Sequence, residues 1–365
     1  WKEIEMNRND KQITNPGKLF NRRPREECGI FGIYDHEDAG RITCFGLYAL
    51  QHRGQESAGI VISDGKRVSG HKGMGLVPDV FDEDTLDRLR GHIGIGHVRY
   101  STTGSSLLVN AQPFMVHFSG RSLAIAHNGN LVNAQIIRSD LEDNGSIFQT
   151  TMDSEVVLHL IAKYLRAGLE QAMIETMARI KGAYSMVIMT EDTIIAARDP
   201  NGFRPLSLGK INGSYVLASE TCAFDLVEAD YIRDVEPGEI LIINKDGLLS
   251  ISSEIKTRKS HCIFELIYFS RPDSKVFGRN VYLFRKKQGE LLAEQFPLEV
   301  DLVMPFPDSG NYAAIGYAQA SRVPLEMGMI RNHYIGRTFI QPSQSMRDFG
   351  VKVKLNPVRD LLKNS

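Results

Sequence analysis

One residue stands where a thiol could do chemistry. Cys28 follows Arg25-Glu26-Glu27 and precedes GIFG, so a small residue lies beside the sulfur at the entry to a strand-like run. Inside a chain such a cysteine is a small hydrophobe, and burial on a strand is its ordinary fate. At an amino terminus it gains a general base of its own, because a free α-amine titrates at about 7.7–8.0. The Glu27–Cys28 bond would then have to be cut, which gives residues 1–27 a purpose as a leader. Downstream, the segments LQHRGQESAGI (50–60), GHVRYSTTG (96–104), AHNGNL (126–131) and TMDSE (151–155) hold the polar residues that could surround such a nucleophile. Each has an ordinary alternative. Arg99 can be a surface strand arginine, Asp153 a helix N-cap ahead of SEVVLHL, and Asn128-Gly129 a hairpin turn.

The elements that must position these residues are short and β-rich. GIFGIY (29–34), AGIVIS (58–63) and IGIGHVRY (93–100) read as strands bounded by Gly, Asp and Ser. LAIAHNGNLVNA (123–134) reads as a strand running into an Asn-Gly turn. Val156, Val157, Leu160, Ile161, Tyr164 and Leu165 keep helical spacing, so SEVVLHLIAKYLR is an amphipathic helix. Further strands are expected at AYSMVIMT, DTIIAAR, SYVLASE and GEILIINKDG. Many strands with two or three helices predict an α+β sandwich of stacked layers. Near position 260 the character changes to a helix, then VDLVMPF as a buried strand, then PDSGNYAAIGYAQAS as turn plus helix. That alternation belongs to a parallel α/β domain.

The chain has 365 residues, enough for two domains, and charged and apolar contents near globular averages. A formal net charge of −1 argues against a general nucleic-acid or membrane binder, both of which want a basic surplus. Cys28, Cys44, Cys222 and Cys262 show no framework spacing, which fits a reducing compartment. Residues 1–27 lack the apolar core of a signal peptide, and no stretch reaches the roughly 18 apolar residues of a membrane helix. A soluble, cytoplasmic protein is expected. The chain opens on Trp1 and stops after a basic run, so it is read as a fragment at both ends, with Met6 a possible start.

CGIFG and the four downstream segments, in this order, resemble the class II, N-terminal-nucleophile glutamine amidotransferases. Within that group the similarity is greatest to the amidophosphoribosyltransferase family. It runs from about Arg25 to the end of the chain and includes DPNGFRPLSLG (199–209), ELIYFSRPDS (265–274) and IGRTFIQPSQ (335–344). The resemblance implies an α+β N-terminal-nucleophile hydrolase fold, a layered αββα sandwich, followed by the start of an α/β type I phosphoribosyltransferase domain truncated at its C-terminus. The expected division is a leader over 1–27, a glutaminase domain over 28–260 and a partial phosphoribosyltransferase domain over 275–365. It also implies roles. Cys28 would be the nucleophile, exposed by autocatalytic removal of the leader. Asn128 and Gly129 would form the oxyanion hole, through a side-chain amide and a backbone N–H. Arg99 would fork onto the α-carboxylate of glutamine, Asp153 would take the α-ammonium, Thr102 would bind substrate, and Arg53 and Gly54 would shape the pocket.

The second half carries further expectations from the same resemblance. Ammonia would pass to phosphoribosyl pyrophosphate, giving phosphoribosylamine, the opening step of purine synthesis. Ser309 would lie near magnesium, its other reading being a helix cap within Asp308-Ser309-Gly310. Arg337 would belong to a loop folding over the sugar phosphate. Cys262 would be the first ligand of a four-iron, four-sulfur cluster, which needs four thiolates; burial on a strand is its other reading. Cys44 and Cys222 fall in apolar helix and strand patterns and read as packing residues. A homotetramer and purine-nucleotide feedback are expected. Three features depart from the family. No acidic phosphoribosyl-pyrophosphate motif occurs in the 365 residues, His333 stands where Arg is usual, and Met152 replaces the usual Ser beside Asp153. The fragment alone is therefore not expected to perform the transferase half-reaction.

Two rival readings remain. Glucosamine-6-phosphate synthase and asparagine synthetase share the first domain but lack the RPDS and GRTFIQPSQ segments. A non-glutaminase N-terminal-nucleophile hydrolase, or a silent fragment that only assembles with partners, would not release glutamate through Cys28.

Overall fold

The computed structural model describes residues 28–100, 107–253, 255, 257–333 and 351–363. The expected leader over 1–27, Thr102 and Arg337 lie outside the described residues.

Thirteen strands build two facing sheets. They are β1 (Gly29–Tyr34), β2 (Ser57–Ser63), β3 (Val68–Met74), β4 (Ile93–Arg99), β5 (Phe114–Phe118), β6 (Arg121–Leu131) and β7 (Gly182–Met189). Then follow β8 (Ile194–Arg198), β9 (Ser207–Ile211), β10 (Ser214–Ala218), β11 (Asp230–Asp234), β12 (Glu239–Asn244) and β13 (Gly247–Ser252). The first sheet runs β11-β9-β10-β1-β4-β2-β3, and the second runs β13-β12-β8-β7-β6-β5. Every neighbouring pair in both sheets is antiparallel.

Strand alternation sorts the apolar side chains into three layers. Ile30, Val61, Ile95, Ala126, Val187 and Leu241 meet between the sheets. On the outer face of the first sheet, Phe31, Ile33 and Ile60 pack against α1 (Ala39–Ala49). On the outer face of the second, Leu123, Ile125 and Met186 meet α2 (Ala134–Asp143), α3 (Ser154–Tyr164) and α4 (Leu169–Arg179). The short helix α5 (Cys222–Val227) joins α1 over the first sheet. The result is helix, sheet, sheet, helix. Each fully buried Ile, Leu or Phe side chain contributes about 1.5–3 kcal/mol of burial to that stack.

Three expected elements differ. Asn128 and Gly129 form no turn; β6 runs through them, and they pair with Ser185 and Tyr184 of β7. Cys222 opens a helix instead of lying on a strand. VDLVMPF makes only an isolated bridge from Val303 to Leu325 and stays largely accessible, because among the described residues no continuous strand lies alongside to take its hydrogen bonds.

After β13 the chain makes a π-helical turn over Glu265–Phe269 and a small hairpin, then α6 (Val281–Gln295) and α7 (Asn311–Ser321). These two helices cross closely. A Cβ on Gly289 would sit 1.8 Å from the carbonyl of Ala313, and one on Gly316 would sit 1.9 Å from that of Lys286. Among the described residues, no helix is long and apolar enough to cross a membrane.

Candidate active site

Cys28 is the residue just before β1, a central strand of the first sheet, and is 8% exposed. Its Sγ lies 3.9 Å from the carbonyl oxygen of Tyr100, at the exit of β4. A cavity of about 350 Å³ opens over the sulfur and is lined by Cys28, Arg99, Gly129 and Asp153 together. Four segments scattered over 125 positions of sequence thus meet in one place because β4 and β6 end there while β1 and α3 begin there.

Asp153 sits at the first turn of α3 but does not cap it, since its side chain takes no capping hydrogen bond. The carboxylate instead turns into the cavity, where Oδ2 accepts from the Leu131 N–H at 2.8 Å and Oδ1 lies 3.7 Å from His127 Nδ1. Burial opposes its ionisation, but His127 and the backbone N–H groups of Leu131 and Ser154 outweigh it and hold its pKa below the ordinary aspartate value. A charged carboxylate facing a polar cavity is suited to an ammonium group.

Gly129 is required by its surroundings. Its φ is +149°, and a Cβ there would lie 2.0 Å from the carbonyl oxygen of Ala183. Asn128 is fully buried and does not line the cavity wall. Among the described residues, neither its Nδ2 nor its Oδ1 has a hydrogen-bond partner. A native structure seldom leaves a buried amide unsatisfied unless something else accounts for it.

Arg53 also stays out of the cavity lining. It is completely buried, and Nε donates to the backbone oxygen of Cys28 at 3.1 Å. Gly54 lets the chain pass close to β4, since a Cβ there would lie 2.4 Å from the carbonyl carbon of Val98.

Comparison with known proteins agrees with this geometry. The glutamine amidotransferase domain family matches residues 97–225. The amidophosphoribosyltransferase of Bacillus subtilis (strain 168) is 51% identical over 338 residues, covering 92% of this chain and 71% of that protein. The chain belongs to the amidophosphoribosyltransferase family. The chloroplastic amidophosphoribosyltransferase 1 of Arabidopsis thaliana is 54% identical over 342 residues, covering 93% of this chain and 60% of that protein. This chain therefore spans less than two thirds of the plant relative's length. A solved structure of the glutamine phosphoribosylpyrophosphate amidotransferase from B. subtilis, complexed with ADP and GMP, superposes with a TM-score of 0.86. It is 50% identical, and the match covers 92% of this chain and 73% of the other. The αββα sandwich is thus the N-terminal-nucleophile fold expected of an amidophosphoribosyltransferase family member.

Several residues of the site carried no signal strong enough to single them out. Glu56, inside QHRGQES, accepts from Arg99 Nη1 at 3.0 Å. His127 is buried yet lines the cavity, and its backbone N–H donates to Gln112 Oε1 at 2.8 Å. His97, on β4, reaches across to the carbonyl of His127 at 3.1 Å, and burial pushes it down to about 3, so it is neutral. Glu56, His97 and His127 all lie inside the segments that hold the site, and that placement was the one clue the sequence offered to them.

The expected metal residues are farther away. Cys262 is half-buried, with Arg204 Nη1 at 4.0 Å from its sulfur. Cys44 on α1 and Cys222 at the start of α5 are both packed into the core, and burial pushes Cys44 up to about 11 and raises Cys222 as well. The cysteines of this sequence do not converge. Among the described residues, no three His, Cys, Asp or Glu side chains gather as a metal site. These residues alone therefore do not make up a four-thiolate set. Ser309 lies in the turn before α7, whose N-cap is Gly310 with no side-chain cap bond, so the capping alternative for Asp308-Ser309 is not realised. Asp308 instead pairs with Arg331.

Proposed function

We propose that this chain hydrolyses glutamine to glutamate and ammonia, with Cys28 as the nucleophile after cleavage of the Glu27–Cys28 bond. The observation that carries the reading is the single cavity shared by Cys28, Arg99, Gly129 and Asp153. Arg99 and Asp153 supply the opposite charges that an α-amino acid presents, and the thiol lies on the same wall for the side-chain amide. The freed α-amine takes the thiol proton, and sulfur attacks the amide carbon. Negative charge gathering on the amide oxygen is met by the backbone N–H of Gly129 and by the Asn128 amide, which has no hydrogen-bond partner among the described residues. Ammonia leaves with the proton returned from the amine, and water then cleaves the thioester to give glutamate. Arg53 and Gly54 act from behind the cavity wall, and Thr102 would add a contact to substrate.

The whole protein would pass the ammonia to phosphoribosyl pyrophosphate, forming 5-phosphoribosylamine in the first step of de novo purine biosynthesis. Domain limits of 28–260 and 275–365 fit the end of the two sheets at Ser252 and the later helix pair. Ser309 would stand near magnesium and Arg337 over the sugar phosphate. Cys262 would supply one thiolate of a four-iron, four-sulfur cluster completed by residues outside this sequence, and no step above depends on it. Purine nucleotides as inhibitors fit the relative solved with ADP and GMP. Exposed Leu283, Phe296, Leu298 and Phe306 support a self-associating protein, as a homotetramer would be. That no disulfide joins Cys28, Cys44, Cys222 or Cys262 supports a reducing, cytoplasmic setting. The test is glutamate release by Cys28→Ala, together with labelling of the parent by a reactive glutamine analogue. The reading requires labelled Cys28 and an inactive variant; glutamate release by the variant contradicts it.

A further inference from the structure

Behind the wall of the cavity lies a buried cluster of charges that the hydrolysis steps do not use. Arg53 is its centre, with no exposed surface. One edge of the guanidinium holds the Cys28 carbonyl. The other donates to both oxygens of Glu265, at 2.9 and 2.8 Å, across 212 positions of sequence, and to Glu220. Glu265 also accepts from Arg204 Nη1 at 3.2 Å and from Ser270 Oγ at 3.1 Å. Glu220 also accepts from the Arg271 N–H and Ser274 Oγ, each at 2.8 Å, and meets His52 at 2.8 Å. Two carboxylates face two guanidiniums. Glu265, Ser270, Arg271 and Ser274 all come from the segment 265–274, which follows both sheets, and none of the four lines the cavity.

We propose that Arg53 is a positioning residue for the nucleophile, and that the segment 265–274, by clamping its far side, sets the reactivity of Cys28. Moving the guanidinium would break charge-assisted bonds in a fully buried site, so the Cys28 backbone is held as firmly as the clamp behind it. Reaction at sulfur is sensitive to that placement, because a displacement on the order of 1 Å can cost about a hundredfold in rate. Whatever shifts 265–274 therefore shifts the thiol, and the two halves of the chain communicate through Arg53. The inference rests on Cys28 being the nucleophile.

The test uses the full chain and the variants Arg53→Lys, Glu265→Gln and their combination. Glutamate release is measured per reactive Cys28, counted by saturating label with a diazoketone analogue of glutamine. In each single variant kcat per counted site should fall about tenfold or more, while KM for glutamine stays within about twofold because Arg99 and Asp153 are untouched. The double variant should be no worse than the poorer single one, since both disable one device. A cluster that only holds the fold would lower the number of labelled sites and leave kcat per site at the parent value, which overturns the proposal. If these variants do not fold, Ser270→Ala and Ser274→Ala each remove one hydroxyl donor to a clamp carboxylate without removing a charge; a drop in kcat of about two- to threefold supports the proposal, and an unchanged kcat in both overturns it. Absence of label on Cys28 in the unaltered protein would instead remove the nucleophile reading, and this inference with it.

Discussion

Arg99 and Glu56 are joined twice, by the Arg99 Nη1 to Glu56 Oε1 bond at 3.0 Å and by the Glu56 N–H to Arg99 carbonyl bond at 3.0 Å. The pair ties the end of β4 to the start of β2 beside the sulfur. Glu56 holds one nitrogen of the guanidinium and so helps to fix its plane at the cavity wall. Glu56→Gln should therefore raise KM for glutamine about tenfold, equivalent to about 1.4 kcal/mol, with kcat changed by less than about twofold. Steady-state glutamate release checks this.

Asn128→Ala separates activity from stability. Its amide atoms are buried without partners, so the folded protein gives up no hydrogen bond when they are removed. The reaction loses an oxyanion donor, and kcat should fall about 10²–10³-fold with little change in KM. Thermal unfolding should shift only slightly, because relief of a desolvated amide offsets the small cavity left behind.

Gly129→Ala behaves in the opposite way. The added methyl would lie 2.0 Å from the Ala183 carbonyl at a φ of +149°, so β6 must leave β7 locally. A loss of about 3 kcal/mol or more in unfolding free energy is expected, together with loss of glutamate release. Denaturant titration alongside the assay distinguishes this from Asn128→Ala.

The buried carboxylates predict an acid limb of stability. Burial alone would raise Glu220 and Glu265, but His52 and Arg53 beside Glu220, and Arg53 beside Glu265, hold both below the ordinary glutamate value of 4.5. A depressed folded pKa stabilises the protein above the unfolded value, and that contribution disappears as pH falls through the folded value. Unfolding free energy should thus decline from about pH 4.5 downward. Glu265→Gln should be less stable than the parent at neutral pH and should lose less on acidification; pH-dependent urea titration of both proteins checks this.

The strands around Cys28 were legible because short apolar runs punctuated by Gly and Ser admit few other structures. α3 was legible from its 3.6-residue period. Asn128-Gly129 was not, because Asn-Gly is a strong local turn signal and only pairing with β7, more than fifty positions later, overrides it. Asp153 looked like a cap because spacing shows where a helix starts but not where a carboxylate turns. The Arg53 cluster was invisible for a simpler reason: its partners Glu220 and Glu265 lie 167 and 212 positions away. VDLVMPF failed as a strand because hydrophobicity alone supplies no neighbour to pair with.

The nucleophile depends on an amino-terminal Cys28, and the mass of the mature amino terminus tests this most directly. Intact-mass and amino-terminal sequencing of active protein should show a chain beginning at Cys28, with residues 1–27 removed. Protein that hydrolyses glutamine at full rate with the Glu27–Cys28 bond intact would contradict the mechanism, because no free α-amine would then be present to take the proton from the thiol.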